Sequence, residues 1–275
     1  MTQAPGSAER KQAIVASISS DIGTALAAAW LRKGWGVAGT YRTWSPAVSE
    51  LREAGALVTP CDLADAGSVH AACRTLCAST NGWDVLVLGA GTQEPVGNFA
   101  EVEFDAWETS LRVNFNAQLR LVHALLPSRR LSHQRTPTVI FFAGGGTNNA
   151  PTCYSAYVIS KIASIKMCEL LDAEVPDTKF SILGPGWVKT KIHQATVRAG
   201  AGAGANYQKT VDFLSSGTGT PVERVVECCN WIIEAPRTTV GGRNFSVVHD
   251  RWGEQALAER LGREPDLFKL RRCGN

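Results

Sequence analysis

Short apolar runs alternate with longer amphipathic stretches along the chain. The first unit has a buried-strand run at Ala13–Ile18, apolar side chains at helical spacing over Ile22–Arg32, and a second strand-like run at Gly36–Tyr41. This order predicts a β-α-β unit. Further strands are predicted at Leu57–Thr59, Val85–Leu88, Thr138–Phe142, Phe180–Leu183 and Asn244–Val248, and further helices at Ala66–Ser79, Phe104–Leu126, Ser155–Ala173 and Val222–Ile233.

Seven strands separated by helices predict the α/β class. Parallel neighbours need crossover connections, and the crossing helices cover both faces of the sheet. We expect a Rossmann-like, doubly wound seven-stranded parallel sheet flanked by helices on both faces. One domain is predicted over residues 11–250, after a flexible lead at 1–10 and before a C-terminal tail at 251–275. Within it, the Gly/Ala/Ser/Thr-rich stretch at about 191–220 predicts a mobile flap with little to bury.

Composition narrows the class of partner. The 275 residues are 44% hydrophobic and 19% charged, and the formal net charge is +3. That balance predicts a soluble globular protein. Its positive electrostatic field is too weak to indicate binding to nucleic acid or to an anionic membrane. The eight cysteines include no CxxC pair, so we expect reduced thiols and no metal. The first residues carry no apolar run of signal-peptide length, so the expected location is cytoplasmic. Because the net charge is small, the expected partner is a small molecule.

The turn after the first predicted strand is a candidate phosphate site. Ligands of doubly wound sheets lie beyond the carboxyl ends of the strands, where the N-terminus of the first helix faces the cofactor's pyrophosphate. Ser19 and Ser20 can donate hydroxyls to a phosphate, while Asp21 can cap the helix by accepting backbone N–H groups. The turn has only one glycine, Gly23, so a helix cap without a phosphate remains the alternative.

The end of the second strand indicates which dinucleotide is bound. Tyr41 stands where an NAD site would place a carboxylate for the ribose 2′-hydroxyl, and Arg42 offers a guanidinium for a 2′-phosphate. NADP(H) is therefore favoured, with NAD(H) as the alternative. A solvated arginine at a strand end is the interpretation without function.

Tyr157 and Lys161 form the strongest chemical pair. Their i, i+4 spacing puts the phenol and the ammonium on one helix face, where the positive charge is expected to lower the tyrosine pKa. Tyr157 is then a candidate proton donor or acceptor near neutral pH. The same spacing also occurs by chance in many helices.

Six motifs occur together and in order. They are Ser19–Gly23, Cys61-Asp62-Leu63, Leu88–Gly91, Val113-Asn114, Tyr157 with Lys161, and Gly184–Thr190. In this order they resemble the short-chain dehydrogenase/reductase (SDR) family, in its shorter single-domain branch, over residues 11–250. The resemblance implies an oxidoreductase that transfers a hydride between NADP(H) and a carbonyl or secondary alcohol, working as a homodimer or homotetramer through the helices at Phe104–Leu126 and Ser155–Ala173.

The resemblance also implies residue roles. Tyr157 would exchange a proton with the substrate oxygen, Lys161 would hold the nicotinamide ribose, and Asn114 would support a water relay behind the lysine. A buried asparagine that braces the helix is the alternative for Asn114. The implied cofactor-binding residues are Ser17, Ser19, Ser20, Asp21, Ile22, Gly23, Arg42, Asp62, Leu63, Ala90, Gly91, Asn114, Tyr157, Lys161, Pro185, Gly186, Val188 and Thr190.

The chain departs from the family pattern in two places. Ala16, Ser17 and Asp21 occupy the first, second and sixth positions of the turn usually written TGxxxGxG, and Ser17 adds a Cβ where the backbone normally approaches the pyrophosphate. Gly144 stands where members carry a serine that steadies the substrate carbonyl. Our hypothesis is that Thr147 replaces that serine at least in part. Thr152, Ser155 and the backbone N–H groups of the triple glycine are the other candidates.

The substrate is the least defined feature. Gln93, Glu94, Cys153, Tyr154, Trp187, His193 and Tyr207 are the residues expected near the mouth of the pocket. Aromatic and amide groups of this kind suit a keto-sugar or a cyclic ketone. Because the turn glycine and the serine are both missing, the alternative is a catalytically quiet SDR-fold nucleotide-binding or interaction protein. An epimerase or dehydratase of nucleotide sugars is less favoured, because few residues follow the seventh strand.

Overall fold

The computed structural model describes residues 10–132 and 135–272, so most of the predicted N-terminal lead and the last three residues lie outside it. Seven parallel strands form one sheet in the order β3-β2-β1-β4-β5-β6-β7. This confirms the predicted doubly wound sheet. The strands are β1 (Gln12–Ala16), β2 (Gly36–Tyr41), β3 (Leu57–Pro60), β4 (Val85–Leu88), β5 (Thr138–Phe142), β6 (Lys179–Gly184) and β7 (Asn244–Ser246).

Helices cover both faces of the sheet. Side chains of β1 alternate between them: Ala13 and Val15 belong to one buried cluster, whereas Ile14 and Ala16 belong to the other. The α-helices are α1 (Asp21–Arg32), α2 (Pro46–Glu53), α3 (Ala66–Ser79), α4 (Phe104–Leu111), α5 (Ala117–Leu125), α6 (Ser155–Glu174), α7 (Gln194–Ala199), α8 (Ala205–Ser215), α9 (Val222–Glu234), α10 (Arg237–Val240) and α11 (Gln255–Arg263).

Two helical features differ from the sequence prediction. The long helix predicted over Phe104–Leu126 is interrupted by a π-helical turn at Arg112–Asn116, between α4 and α5. Helix α2 was not predicted from the apolar pattern. It follows a cap signal, since the Ser45 side chain accepts a hydrogen bond from the Val48 N–H (3.4 Å) and Pro46 occupies the first helical position.

The stretch at 191–220 is mostly helical and contributes to packing. Thr196, Ala203, Thr210 and Phe213 are buried there, so the expectation that it buries little is wrong. Small residues allow the close approach, and Phe213 supplies the apolar area: its ring centroid lies 4.9 Å from that of Trp187. The mobility of this stretch stays a prediction.

The C-terminal segment covers the free edge of β7. The Phe268 carbonyl accepts a hydrogen bond from the Asn244 N–H (2.9 Å), and the buried Arg243 guanidinium donates to the Leu261 carbonyl (2.7 Å). Arg271 forms an ion pair with Glu169 of α6. The tail is therefore tied both to the sheet and to α6. No helix among residues 10–132 and 135–272 is long and apolar enough to cross a membrane.

Candidate active site

A cleft of about 1870 Å³ opens at the carboxyl ends of the strands, where the doubly wound topology places ligands. It brings together nearly all of the predicted site residues. Gly23 and Asn114 lie behind its wall instead. The predicted residues on the wall are Ser17, Ser19, Ser20, Asp21, Ile22, Arg42, Asp62, Leu63, Ala90, Gly91, Thr147, Tyr157, Lys161, Pro185, Gly186, Val188 and Thr190.

The turn between β1 and α1 compensates for its missing glycine. Ser17 adopts a left-handed conformation (φ 64°), which glycine normally occupies, and its N–H donates to Thr40 Oγ1 (2.9 Å). Gly23 packs closely against the same residue: a Cβ there would lie 2.4 Å from the Ser17 carbonyl oxygen. The turn therefore holds a serine in the left-handed conformation at the position where the family pattern has a glycine.

The helix cap is Ser20, not Asp21 as predicted. Ser20 Oγ accepts a hydrogen bond from the Gly23 N–H (3.1 Å). Asp21 is the first helical residue, and its carboxylate instead accepts the Lys191 N–H (2.8 Å), with the Lys191 ammonium 3.8 Å away. The two side chains have different partners: the Asp21 carboxylate points to the loop after β6, whereas the shorter Ser20 hydroxyl lies against the first turn of its own helix. Asp21 thus links the two sides of the cleft.

The far end of the cleft holds an aromatic residue that the motifs did not reveal. Trp44 is 45% exposed and lines the cleft beside the exposed Arg42. Its ring meets Tyr41 edge-on (5.2 Å), and the Arg52 guanidinium lies 4.7 Å from its centroid. An aromatic residue two positions after a phosphate-binding arginine candidate was the available signal. Asp62 also lies here, exposed, with its carboxylate accepting the Ala64 N–H (2.9 Å).

Asn114 lies in the π-helical turn and braces the loop after β4. Its side-chain oxygen accepts the Thr92 N–H and its amide donates to the Thr92 carbonyl, both at 2.8 Å. The Asn114 carbonyl accepts the Gln118 side-chain amide (2.8 Å). Next to this brace, Gly91 approaches Lys161: a Cβ on the glycine would lie 3.7 Å from the ammonium nitrogen. Asn114 thus holds the loop that lies next to Lys161.

Tyr157 and Lys161 lie on one face of α6, at the middle of the cleft. The Lys161 ammonium donates to the Phe142 carbonyl at the end of β5 (3.0 Å) and lies 5.7 Å from the Tyr157 ring centroid. Burial lowers the pKa of Lys161 to about 8. Burial also raises the pKa of Tyr157 to about 12.

The expected lowering of the tyrosine pKa by the lysine is therefore wrong for the protein alone. Removing the phenolate from water outweighs an ammonium that the Phe142 carbonyl holds beside the ring. Tyr157 is consequently a neutral phenol at neutral pH.

Among the hydroxyls considered as replacements for the family serine, Thr147 lies on the cleft wall and is exposed. The Ser155 hydroxyl instead accepts the Trp107 indole N–H (3.0 Å). Ser155 and Thr152 border a separate, smaller pocket of about 240 Å³. The structure thus brings Thr147, and neither of the other two, to the wall that carries Tyr157.

The mouth of the cleft is built from three distant segments. The Tyr154 and Thr196 hydroxyls lie 2.7 Å apart, and Thr196 donates to Gln93 Oε1 (3.1 Å). Thr196 is buried and was missed in the sequence because nothing local marks it. Glu94 forms an exposed ion pair with Arg198 (2.7 Å). Of the other expected mouth residues, Cys153 and Tyr207 lie off the cleft wall.

Trp187 and His193 form the aromatic side of the mouth. Trp187 is 49% exposed and stacks on His193, with ring centroids 5.7 Å apart. His193 is buried, its Nε2 lies 2.9 Å from the Val188 carbonyl, and burial lowers its pKa. The histidine therefore supports the tryptophan as a neutral ring.

The donor set and shape of the cleft fit a nicotinamide dinucleotide. Serine hydroxyls at the start of α1 suit a pyrophosphate, and the Lys161 ammonium lies at the centre of the wall. Gly89 on the cleft wall packs closely against β1: a Cβ there would lie 3.1 Å from the Ala16 carbonyl oxygen.

Comparison with known proteins agrees with this geometry. The model of the short chain dehydrogenase family matches residues 11–200. The chain is 29% identical over 213 residues to a fatty acyl-CoA reductase from Acinetobacter baylyi, covering 74% of this chain and 68% of the relative. It is 30% identical over 207 residues to 1-deoxy-11-beta-hydroxypentalenate dehydrogenase from Streptomyces exfoliatus, covering 70% and 74%.

A solved structure matches in fold. A variant of actinorhodin polyketide ketoreductase, solved with NADPH, superposes with a TM-score of 0.75 at 21% identity, over 87% of this chain and 96% of that one. The family match covers the turn after β1, Asn114, and the Tyr157 and Lys161 pair. The chain therefore belongs to the short-chain dehydrogenase/reductase family and is an NAD(P)-dependent oxidoreductase that acts on a small-molecule substrate.

Proposed function

We propose that the protein is an NADP(H)-dependent carbonyl reductase that also oxidises the corresponding secondary alcohols. The observation that carries this proposal is the Tyr157 phenol beside the Lys161 ammonium, on a cleft wall that fits a dinucleotide. When bound, NADP(H) supplies or accepts the hydride.

Three residues of the chain have the remaining proposed roles: proton transfer, ribose binding and support of the cleft wall. The Tyr157 hydroxyl donates its proton to the substrate oxygen during reduction and recovers it during oxidation. Lys161 holds the ribose hydroxyls and its charge steadies the phenolate that the donation leaves. Asn114 keeps the Thr92 loop in place beside Lys161 through its paired hydrogen bonds.

The raised pKa of Tyr157 keeps the side chain in the form that reduction uses. With a pKa raised to about 12, the side chain carries its proton at neutral pH. A carbonyl substrate needs that proton, whereas an alcohol substrate needs the phenolate, which is scarce there.

The preference for NADP(H) rests on the end of β2. Arg42 is exposed to the cleft, and Tyr41 stands where a carboxylate would repel a 2′-phosphate. Trp44 offers a flat apolar face for the adenine ring beside it, with Arg52 near the ring. The cofactor proposal therefore extends to Trp44.

Thr147 is the proposed second donor to the substrate oxygen. Its hydroxyl is the candidate that lies on the wall shared with Tyr157. The loss of one such donor costs about 10²–10³-fold in rate in other oxyanion-binding sites. A Thr147→Ala variant with unchanged kcat would remove this assignment.

Keto-sugars and cyclic ketones are the proposed substrates. Trp187 presents an exposed indole for a ring to lie on, and Thr196 holds the Gln93 side chain at the mouth through a hydrogen bond to its amide oxygen. A flat apolar face with a fixed amide suits a polar ring compound.

A homodimer or homotetramer is proposed through α4 and α6. Phe104, Ile159 and Leu170 on these helices are each about half exposed: 55%, 48% and 45%. Apolar side chains left exposed on neighbouring helices are typical of a subunit interface. Light scattering after size exclusion tests the state, and a monomer would contradict the proposal.

A thermal-shift titration with NADPH, NADP⁺, NADH and NAD⁺ is the test of the cofactor. A ligand at about 100 times its Kd adds about 2.7 kcal/mol to stability. We expect the NADP(H) forms to raise Tm and the NAD(H) forms to do so less. NADPH oxidation with a panel of keto-sugars and cyclic ketones then tests the reaction, and a panel without turnover would contradict it.

A further inference from the structure

Gly144 lies directly against the Tyr157 side chain. A Cβ built on this glycine would be 2.6 Å from the Tyr157 hydroxyl oxygen and 2.8 Å from both Cε1 and Cζ. Non-bonded heavy atoms pack at about 3.5–4.0 Å. Even a methyl group at position 144 therefore cannot coexist with the phenol in its place.

The neighbouring glycines show that this contact is specific. Gly146 also packs against α6, since its Cβ would lie 2.6 Å from Val158 Cγ1, and its φ of 104° disfavours side chains. Gly145, between them, would meet nothing within 4 Å. The loop thus lies against two successive side chains of α6 through its first and third glycines, and the middle glycine is free to carry a side chain.

Lys161 bounds the tyrosine ring on a second side. Lys161 beside the ring is fixed by its hydrogen bond to the Phe142 carbonyl (3.0 Å). Tyr157 also lines the cleft, so this side of the ring is open. A ring pushed away from Gly144 therefore has the cleft as its free direction.

We propose that Gly144 is a positioning residue: the absence of a side chain at this position sets where the Tyr157 hydroxyl meets the substrate. The inference rests on the proposed proton transfer by Tyr157. The glycine is thus required in this chain, and a serine introduced there does not restore a family feature. It displaces the phenol by about 1 Å, since a contact of 2.6 Å must open to about 3.5 Å.

The first test measures the tyrosine itself, without turnover. An ultraviolet difference titration of the four tyrosines follows Tyr157 ionisation, identified by its loss in Tyr157→Phe. In Gly144→Ala, we expect the high Tyr157 pKa to fall toward that of a solvated phenol, because the ring moves into the cleft. Gly145→Ala is the matched control and leaves the titration unchanged. An identical titration in Gly144→Ala and the natural protein overturns the proposal.

The second test measures stability and covers variants that fold poorly. Gly144→Ala lowers the free energy of unfolding in the natural background and leaves it nearly unchanged in a Tyr157→Ala background, because the clash is then gone. Equal losses in both backgrounds overturn the proposal. Gly145→Ala serves again as the control.

The third test links position to reaction. In Gly144→Ala and Gly144→Ser, we expect kcat to fall about 10²-fold, with the Kd for NADPH unchanged. A Gly144→Ser variant with equal or higher kcat overturns the proposal. If the natural protein reduces no carbonyl, the proposed function fails, while the titration and the stability cycle still decide whether Gly144 positions Tyr157.

Discussion

The cofactor end and the substrate end of the cleft are built differently. At the cofactor end, residues that directly follow β1, β2 and β3 form the wall, and the missing glycine of the family pattern is compensated within the turn itself. Ser17 takes the left-handed conformation of the missing glycine and is held by Thr40. At the substrate end, the wall is formed by the loop after β5 together with α6 and α7. There the departure from the family pattern, Gly144, packs against the Tyr157 side chain of α6.

This difference predicts which constant, Kd or kcat, a substitution at each end changes. A change at the cofactor end alters one contact with the dinucleotide and should appear in Kd. A change at the substrate end moves the reacting group and should appear in kcat.

Tyr157→Phe is expected to have the largest effect. It removes the proton donor and should lower kcat by about 10²–10⁴-fold, with the Kd for NADPH little changed. Tyr207→Phe is the matched control, because Tyr207 lies off the cleft wall. Stopped-flow rates and fluorescence titration check the two quantities, and a large change in Kd would break the comparison between the two ends.

Arg42→Ala tests the opposite end. Hydrogen bonds to a charged group contribute about 1.5–3 kcal/mol. Because Arg42 is exposed, we expect the loss of binding free energy to lie near the lower limit. NADPH should therefore bind about tenfold more weakly. NADH binding and kcat at saturating cofactor should not change. Arg74→Ala is the control for charge, because Arg74 is exposed and lies off the cleft wall. Equal losses for NADPH and NADH in Arg42→Ala would contradict the 2′-phosphate assignment.

The pKa of Lys161 predicts a pH dependence of stability. Its folded-state pKa of about 8 lies below the ordinary 10.5, so the unfolded chain binds more protons between these values and stability rises with pH there. Relative to Lys161→Met, the natural protein should therefore gain stability from about pH 8 to 10.5. Urea unfolding of both proteins checks this, and a constant difference would contradict it.

The same proton affects the reaction. Above pH 8 the Lys161 ammonium is lost, so the phenolate left by Tyr157 loses its positive neighbour and reduction should slow. We expect kcat for reduction to fall above this pH. A rate that is flat to pH 10 would contradict the role of the lysine charge.

Ser17→Gly should have the smallest effect, and a favourable one. A side chain in the left-handed region costs about 1–2 kcal/mol, part of which is offset because glycine makes the unfolded chain more flexible. We expect a small rise in Tm and tighter NADPH binding, with kcat unchanged. Weaker NADPH binding would show that the Ser17 hydroxyl itself contacts the cofactor.

Local signals made the cofactor end predictable. The β-α-β pattern, the serines before α1 and Arg42 after β2 lie within short stretches of sequence, and the structure places them together on the cleft wall. The seven strands were found for the same reason, since each is a short apolar run between helices.

The remaining features depend on contacts between distant residues. Thr196 joins Tyr154 and Gln93 across the mouth, and nothing next to it in the sequence marks this role. The pKa of Tyr157 depends on burial, which the i, i+4 spacing to Lys161 does not reveal. Likewise, the link between Asp21 and Lys191 joins positions too far apart for a helix-cap pattern to predict.

That last link has a kinetic consequence. The Asp21 carboxylate connects the start of α1 with the loop after β6, and both segments line the cleft. Loosening this link, as in Asp21→Asn, should speed cofactor association and dissociation together, so that residence time shortens while the equilibrium constant hardly moves.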